Sequence, residues 1–181
     1  MSNDIKDDPQ EIVWQGKFIT ARKQGRWEFV SRARGIRAAV ILAIDDADHV
    51  LLVEQYRVPL GRNCIELPAG LIGDHDDVVG ENDENAALRE LEEETGYTAA
   101  HMENLGEFWS SPGMVSESFT LMRAHNISQI GPGGGTDGEN ITVHRIALDD
   151  LEAFLAQRRL IGDAIDVKLL TLLGPRILKG K

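Results

Sequence analysis

One cysteine, Cys64, stands in 181 residues. No intrachain disulfide is therefore possible, and a thiolate metal cluster is excluded with it. Cys64 lies in an apolar stretch and is expected to be a small buried residue. Long apolar runs are also missing. The longest, Ala38 to Ile44, is far too short to span a bilayer. The first residues are polar and acidic, without the apolar core of a secretory leader, so the cytoplasm is the expected compartment. Positive charge is scarce: 19 Lys and Arg stand against 30 Asp and Glu, a formal net charge of −11. That balance disfavours a nonspecific nucleic-acid binder, which carries a basic footprint. It does not disfavour a phosphorylated substrate, because a bound cation can supply positive charge locally.

What remains is one domain of ordinary length, large enough to bury a core. Residues 1 to about 10 are polar and expected to fray. Glu11 to Trp14, Lys17 to Arg22 and Arg26 to Arg32 read as short strands, with a turn at Gln24-Gly25. Ile36 to Ile44 reads as a strand buried on both faces, joined through Asp45 to Asp48 to a partner over His49 to Tyr56 in a hairpin. Further strands are expected over Cys64 to Leu67, Met102 to Trp109, Glu117 to Ala124 and Ile141 to Ala147. Helices are expected after Asp149 or Asp150 through about Arg159, and from Asp163 to Leu173-Gly174-Pro175. The glycine-rich stretch from Ile127 to Gly138 is expected to be a mobile loop. Strands interleaved with a few helices give an α/β class with a mixed sheet.

The densest chemistry lies in Ala86 to Tyr97, AALRELEEETGY. At 3.6 residues per turn, Glu94 falls about 40° around a helix from Glu90, and Glu93 about 60° to the other side. Three carboxylates therefore share one face, with Ala87, Leu88 and Leu91 on or near the opposite one. Like charges four residues apart cost roughly 0.2–0.5 kcal/mol each. Nothing in the segment offsets that cost unless a cation sits against the face. Hard divalent cations such as magnesium take oxygen ligands, commonly one or two carboxylates plus substrate phosphates. Gly96 stands where a helix-ending glycine belongs, and Asn82 or Asp83 offers an N-cap.

Two other patterns fail on inspection. Gly133, Gly135 and Gly138 spell G-x-G-x-x-G, but the segment after them reads as a strand, so no helix presents its N–H groups to a pyrophosphate. Asp74 to Glu84 is acidic, yet Val78 and Val79 occupy positions where a calcium-binding loop needs an oxygen ligand and a glycine.

Glu81 to Gly96 resembles the Nudix hydrolase box, G-x5-E-x7-R-E-U-x-E-E-x-G-U with U apolar. The E-x7-REUxEExG part matches in full, and Tyr97 stands at the last apolar position. Gly70, the glycine of Leu67-Pro-Ala-Gly70, precedes Glu81 by eleven residues in place of six, an insertion of about five residues in a loop that tolerates additions. Val53-Glu-Gln-Tyr-Arg-Val-Pro59, Ile65 to Leu71, Pro112 sixteen residues past Gly96, and Asp137-Gly-Glu139 resemble the ADP-ribose pyrophosphatase branch.

The resemblance implies an α/β/α sandwich. It implies an N-terminal strand segment, residues 1–35, used in dimerisation and substrate contact, ahead of a Nudix domain over 36–181. It implies magnesium, with manganese as a possible substitute, bound by Glu90, Glu93, Glu94 and the Ala69 carbonyl. Arg89 would orient Glu93, and Glu139 or Glu93 would take the proton from the attacking water. Arg57 would contact the diphosphate, with Leu71 alongside. Phe18 and Trp27 would clamp the base, with Glu28 and Arg32 nearby, and one aromatic could come from the partner subunit of a homodimer. Glu81 matches the first box glutamate. The implied reaction is hydrolysis of ADP-ribose to AMP and ribose 5-phosphate. GDP-mannose or NADH are alternative substrates, and a catalytically silent ADP-ribose sensor is an alternative of another class, though its usual mark, lost box carboxylates, is absent.

Overall fold

A computed structural model of the chain describes residues 5–33, 37–72, 82–136 and 138–179. Glu81, Asp137, and Asp74, Asp76 and Asp77 of the inserted stretch lie outside the described residues.

The N-terminal residues form an antiparallel sheet of β1 (Gln10–Gln15), β2 (Ile19–Gln24) and β3 (Trp27–Arg32), turning at Gly25 with φ of 55°. This sheet is joined to the body through the loop before residue 117. The Val30 N–H donates to the Met114 carbonyl at 3.0 Å, and the Ser116 N–H to the Val30 carbonyl at 2.9 Å.

The body begins with β4 (Arg37–Ala43) and β5 (His49–Arg57). β4 is buried on both faces, as its apolar run requires: Ala39, Ile41 and Ala43 enter one core and Val40 the other. The expected hairpin between β4 and β5 does not form. They touch at a single bridge, Ile44 to Val50, and then part into different sheets. The reason lies in their neighbours. β4 is taken on one side by β7 (Ala69–Ile72) and on the other, in parallel, by β10 (Ser118–His125). β9 (His101–Trp109) completes that sheet, while β5 pairs with β6 (Arg62–Glu66) and β12 (Thr142–Ala147). β13 (Ala164–Ile165) adds to β6 in parallel. The mixed sheet is thus two four-stranded pieces, each with one parallel pair. A small pairing of β8 (Tyr97–Thr98) with β11 (Ser128–Gln129) lies apart from both.

Helix α1 (Asp83–Thr95) lies on the first sheet. Ala86, Ala87 and Leu91 close a core with Ile41, Ile72, Met102 and Met122. The second core holds Val40, Leu52, Ile65, Leu67 and Leu121 together with Leu151 and Leu155 of α2 (Leu151–Leu160). The last helix begins later than expected from Asp163. Residues 164–165 pair with β6, Asp166 caps a short 3-10 turn over Val167–Leu169, and α3 (Leu170–Lys179) runs through Pro175. No helix among the described residues is long and apolar enough to cross a membrane.

Candidate active site

The acidic face of α1 and the two sheets enclose a cavity of about 660 Å³. Asn82 starts the helix, its side chain accepting the Asn85 N–H at 2.8 Å, and Gly96 ends it in the left-handed region at φ 73°. These two caps fix the rotation that turns Leu91 to the core and Glu90, Glu93 and Glu94 to the cavity.

Glu94 is only 6% exposed. Its Oε2 accepts the main-chain N–H of Ala69 at 2.9 Å. Burial pushes its acid up to about 8; the Ala69 N–H opposes the rise, and the charges of Glu90 and Glu139 add to it. Glu90 is also held above the usual carboxylate range, first by burial, with Glu93 and Glu139 adding to the rise and Arg89 opposing it. Arg89 lies between two acids, 2.9 Å from Glu90 and 3.2 Å from Glu93. β7 passes so close that a Cβ on Gly70 would fall 1.9 Å from Cδ of Glu90. A side chain at position 70 would displace the Glu90 carboxylate.

Across the cavity, Arg57 at the end of β5 makes a bidentate pair with Glu66, Nε to Oε1 at 2.5 Å and a terminal nitrogen to Oε2 at 3.0 Å. Glu66 is 6% exposed and holds the guanidinium firmly protonated. Glu66 falls within the Ile65 to Leu71 stretch. Its signal was a carboxylate inside Cys64-Ile65-Glu66-Leu67, since an acid buried among apolar neighbours requires a partner. Gln55, Ser110, Glu117, Phe119, Thr136 and Lys168 also line the cavity and had no sequence signal of their own.

Arg32, Leu71 and Glu139 reach the same cavity. Arg32 pairs with Glu117, which fastens the end of β3 to the body. Glu139 is hydrogen-bonded within its own loop. Its Oε2 accepts the Thr136 N–H at 2.8 Å, and the glycine run before it is bonded to the end of α1. In this structure the stretch expected to be mobile makes backbone hydrogen bonds to the end of α1. Phe18, Trp27 and Glu28 stand outside this cavity in the single chain. Phe18 is 64% exposed, and Trp27 lines a separate cavity of about 460 Å³ with Phe29, Pro112 and Val115. Glu28 is exposed on β3.

Among the described residues no three His, Cys, Asp or Glu side chains converge as a finished cation cage. The donor set nevertheless suits a hard divalent ion: oxygen ligands only, two of them carboxylates kept above their ordinary range by burial and by one another. The NUDIX domain model matches residues 34–163. The chain belongs to the Nudix family. An uncharacterized Nudix hydrolase of Schizosaccharomyces pombe is 35% identical over 175 residues, covering 90% of this chain and 81% of that protein. An ADP-ribose pyrophosphatase of Bacillus subtilis is 37% identical over 114 residues, covering 62% of this chain and 59% of that one, so the match spans less than two thirds of that relative. A crystal structure of an ADP compounds hydrolase superposes with a TM-score of 0.62 over 85% of this chain and 92% of that one; at 22% identity it shares the Nudix fold. Nudix hydrolases generally need a divalent metal, and the acidic face of α1 is where this one offers oxygen ligands.

Proposed function

We propose that this Nudix protein hydrolyses the diphosphate bond of ADP-ribose, releasing AMP and ribose 5-phosphate. One observation carries the reading: four carboxylates, Glu90, Glu93, Glu94 and Glu139, share a cavity with a fixed guanidinium, that of Arg57. The similarity to an ADP-ribose pyrophosphatase supports the choice of substrate. Magnesium, with manganese as a substitute, would be held by Glu90, Glu93, Glu94 and the Ala69 carbonyl. Such an ion neutralises diphosphate charge and eases ionisation of water.

The chain's own groups supply the rest. Arg57, locked in one rotamer by Glu66, holds a phosphate oxygen through the edge that Glu66 leaves open and stabilises charge as it develops there. Glu139 is the general base that takes the proton from the attacking water, with Glu93 as the runner-up. Arg89 bridges Glu90 and Glu93 and orients both carboxylates. Arg32 and Leu71 contact the substrate beyond the diphosphate. The apolar residues exposed on the N-terminal sheet and its connecting loop, Ile12, Val13, Trp14, Phe18 and Trp27, support a homodimer in which residues 1–35 contribute base contacts next to the 36–181 domain.

The test is product identification by mass spectrometry with magnesium and, separately, ADP-ribose, GDP-mannose and NADH in oxygen-18 water. Label in AMP or in ribose 5-phosphate locates the attacked phosphorus. Faster cleavage of GDP-mannose or NADH would move the substrate assignment. Cleavage of none, with tight ADP-ribose binding, would favour the silent sensor.

A further inference from the structure

Four carbonyls at the end of any α-helix have no partner within it. At the end of α1, the glycine run serves two of them. The N–H of Gly135 donates to the Glu93 carbonyl at 3.0 Å, and that of Gly134 to the Glu94 carbonyl at 2.9 Å. Ile130 and Gly131 both donate to the Gly96 carbonyl, at 2.7 and 3.0 Å. At Gly133 the contact with the helix end admits no side chain, and at Gly135 a side chain would meet Glu139. A Cβ on Gly133 would lie 2.3 Å from the Thr95 carbonyl carbon and 2.7 Å from the Glu94 oxygen, and one on Gly135 would lie 2.5 Å from Oε2 of Glu139. Both residues also hold positive φ, 66° and 78°. From this dock the chain passes directly to Glu139. The Thr136 N–H donates to the Glu139 carboxylate at 2.8 Å, the Glu139 N–H to the Thr136 carbonyl at 3.1 Å, and the Ile141 N–H to the Gly134 carbonyl at 3.1 Å.

We infer that Gly133 and Gly135 are positioning residues: they seat the loop on the main chain of Glu93 and Glu94 and thereby set where the Glu139 carboxylate stands relative to the acidic face. The inference rests on the proposed diphosphate hydrolysis for the use made of Glu139, but the dock is a matter of geometry. Gly131 provides an internal control. It lies in the same run, has open space around its Cβ position and no positive φ, and keeps its N–H when changed to alanine.

The experiment pairs amide hydrogen exchange with kinetics on Gly131→Ala, Gly133→Ala, Gly135→Ala, Glu139→Gln and the Gly135→Ala/Glu139→Gln double variant. The Gly134 and Gly135 amides should exchange slowly in wild type and Gly131→Ala, and roughly 10- to 100-fold faster in Gly133→Ala. Turnover should fall roughly 10- to 100-fold in Gly133→Ala and Gly135→Ala, with the affinity for magnesium alone held within about twofold. The double variant should lose no more than Glu139→Gln does by itself. Fast exchange in wild type, unchanged exchange in Gly133→Ala, or additive losses in the double variant would overturn the inference. Gly135→Ala presses on the Glu139 and Ile141 side chains at a residue of positive φ, so where Gly133→Ala does not fold, the wild-type exchange of the Gly134 and Gly135 amides decides the dock. If wild type cleaves no diphosphate, the hydrolase reading fails, and the exchange measurement still decides the dock.

Discussion

The main-chain N–H of Ala69 and the carboxylate of Glu94 meet at 2.9 Å, joining β7 to the acidic helix at a buried acid of the site. The bond draws Glu94 to the residue whose carbonyl is the proposed fourth cation ligand. It also opposes, without cancelling, the burial that lifts the acid to about 8. A cation arriving at neutral pH therefore has to displace a proton.

That displacement sets the pH dependence of metal binding. Below about 8 Glu94 is mainly the neutral acid, so magnesium affinity should fall as pH falls, by at most about tenfold per unit for one proton. Calorimetric titration in two buffers of different ionisation heat should find close to one proton released per cation near pH 6, declining to none above about 9. Binding without proton release near pH 6 would contradict the assignment of Glu94 as a ligand with a raised pKa.

Glu94→Gln should abolish turnover and still fold. The sign of its stability effect follows from the same shift. The folded pKa lies above the ordinary 4.5, so the stabilising contribution is complete below 4.5 and is lost as pH rises through about 8. Glutamine has no proton to lose. In a chelator near pH 8.5, wild type should melt below the variant, and near pH 4.5 the two should converge. Near wild-type turnover in the variant would remove Glu94 from the site.

Arg57 and Glu66 form a pair in which one member is buried and the other partly wet. Arg57→Ala leaves the Glu66 carboxylate without its fork, at a cost of roughly 1–3 kcal/mol after allowance for solvent at the exposed guanidinium. Arg57→Lys should recover part of the stability and little of the turnover, because an ammonium cannot make the bidentate contact. Urea melts of both single variants and of the double with Glu66→Gln should give a coupling energy above about 0.5 kcal/mol. Strict additivity would mean that the two side chains act independently in solution.

Gly70→Ala would drive a methyl group into Glu90, at 1.9 Å from its Cδ. Relieving that contact requires Glu90 to leave its place or β7 to move, an overpacking cost of about 1–3 kcal/mol. Magnesium affinity should suffer together with turnover. Equal cation affinity in Gly70→Ala and wild type would show that Glu90 is no ligand.

The helix was legible because its signals are local. The N-cap at Asn82, the end at Gly96 and the spacing of Glu90, Glu93 and Glu94 all depend on one 3.6-residue period. The strands of the N-terminal sheet were legible for the same reason, with Gly25 marking their turn. Pairing was harder. Asp45 to Asp48 has the composition of a hairpin turn, yet β4 is claimed by β7 and by β10, about eighty residues away, and local sequence carries no trace of that competition. Glycine content misled in the same way. Gly131 to Gly135 is flexible as an isolated peptide, but the missing Cβ of Gly133 is what lets it lie on the end of α1. Lys168 and Glu117 join the cavity through tertiary folding alone.

Trp27 poses the remaining question, since it stands outside the cavity that holds Glu90. A base clamp at Trp27 would change binding and leave chemistry intact, so Trp27→Ala should raise KM roughly tenfold, in line with the 1–3 kcal/mol typical of a stacked base, while kcat stays near wild type. If the clamp is completed by a second copy, loss of the dimer should have the same signature. Val13 is 65% exposed at the irregularity between Ile12 and Trp14 on β1, so an acid there meets water in a monomer but an apolar surface in a dimer. Val13→Asp should sediment as a monomer, raise KM and keep the magnesium affinity of α1. A monomeric Val13→Asp with wild-type KM would place the base clamp within one chain, and a Trp27→Ala variant that lost kcat alone would take Trp27 out of base recognition altogether.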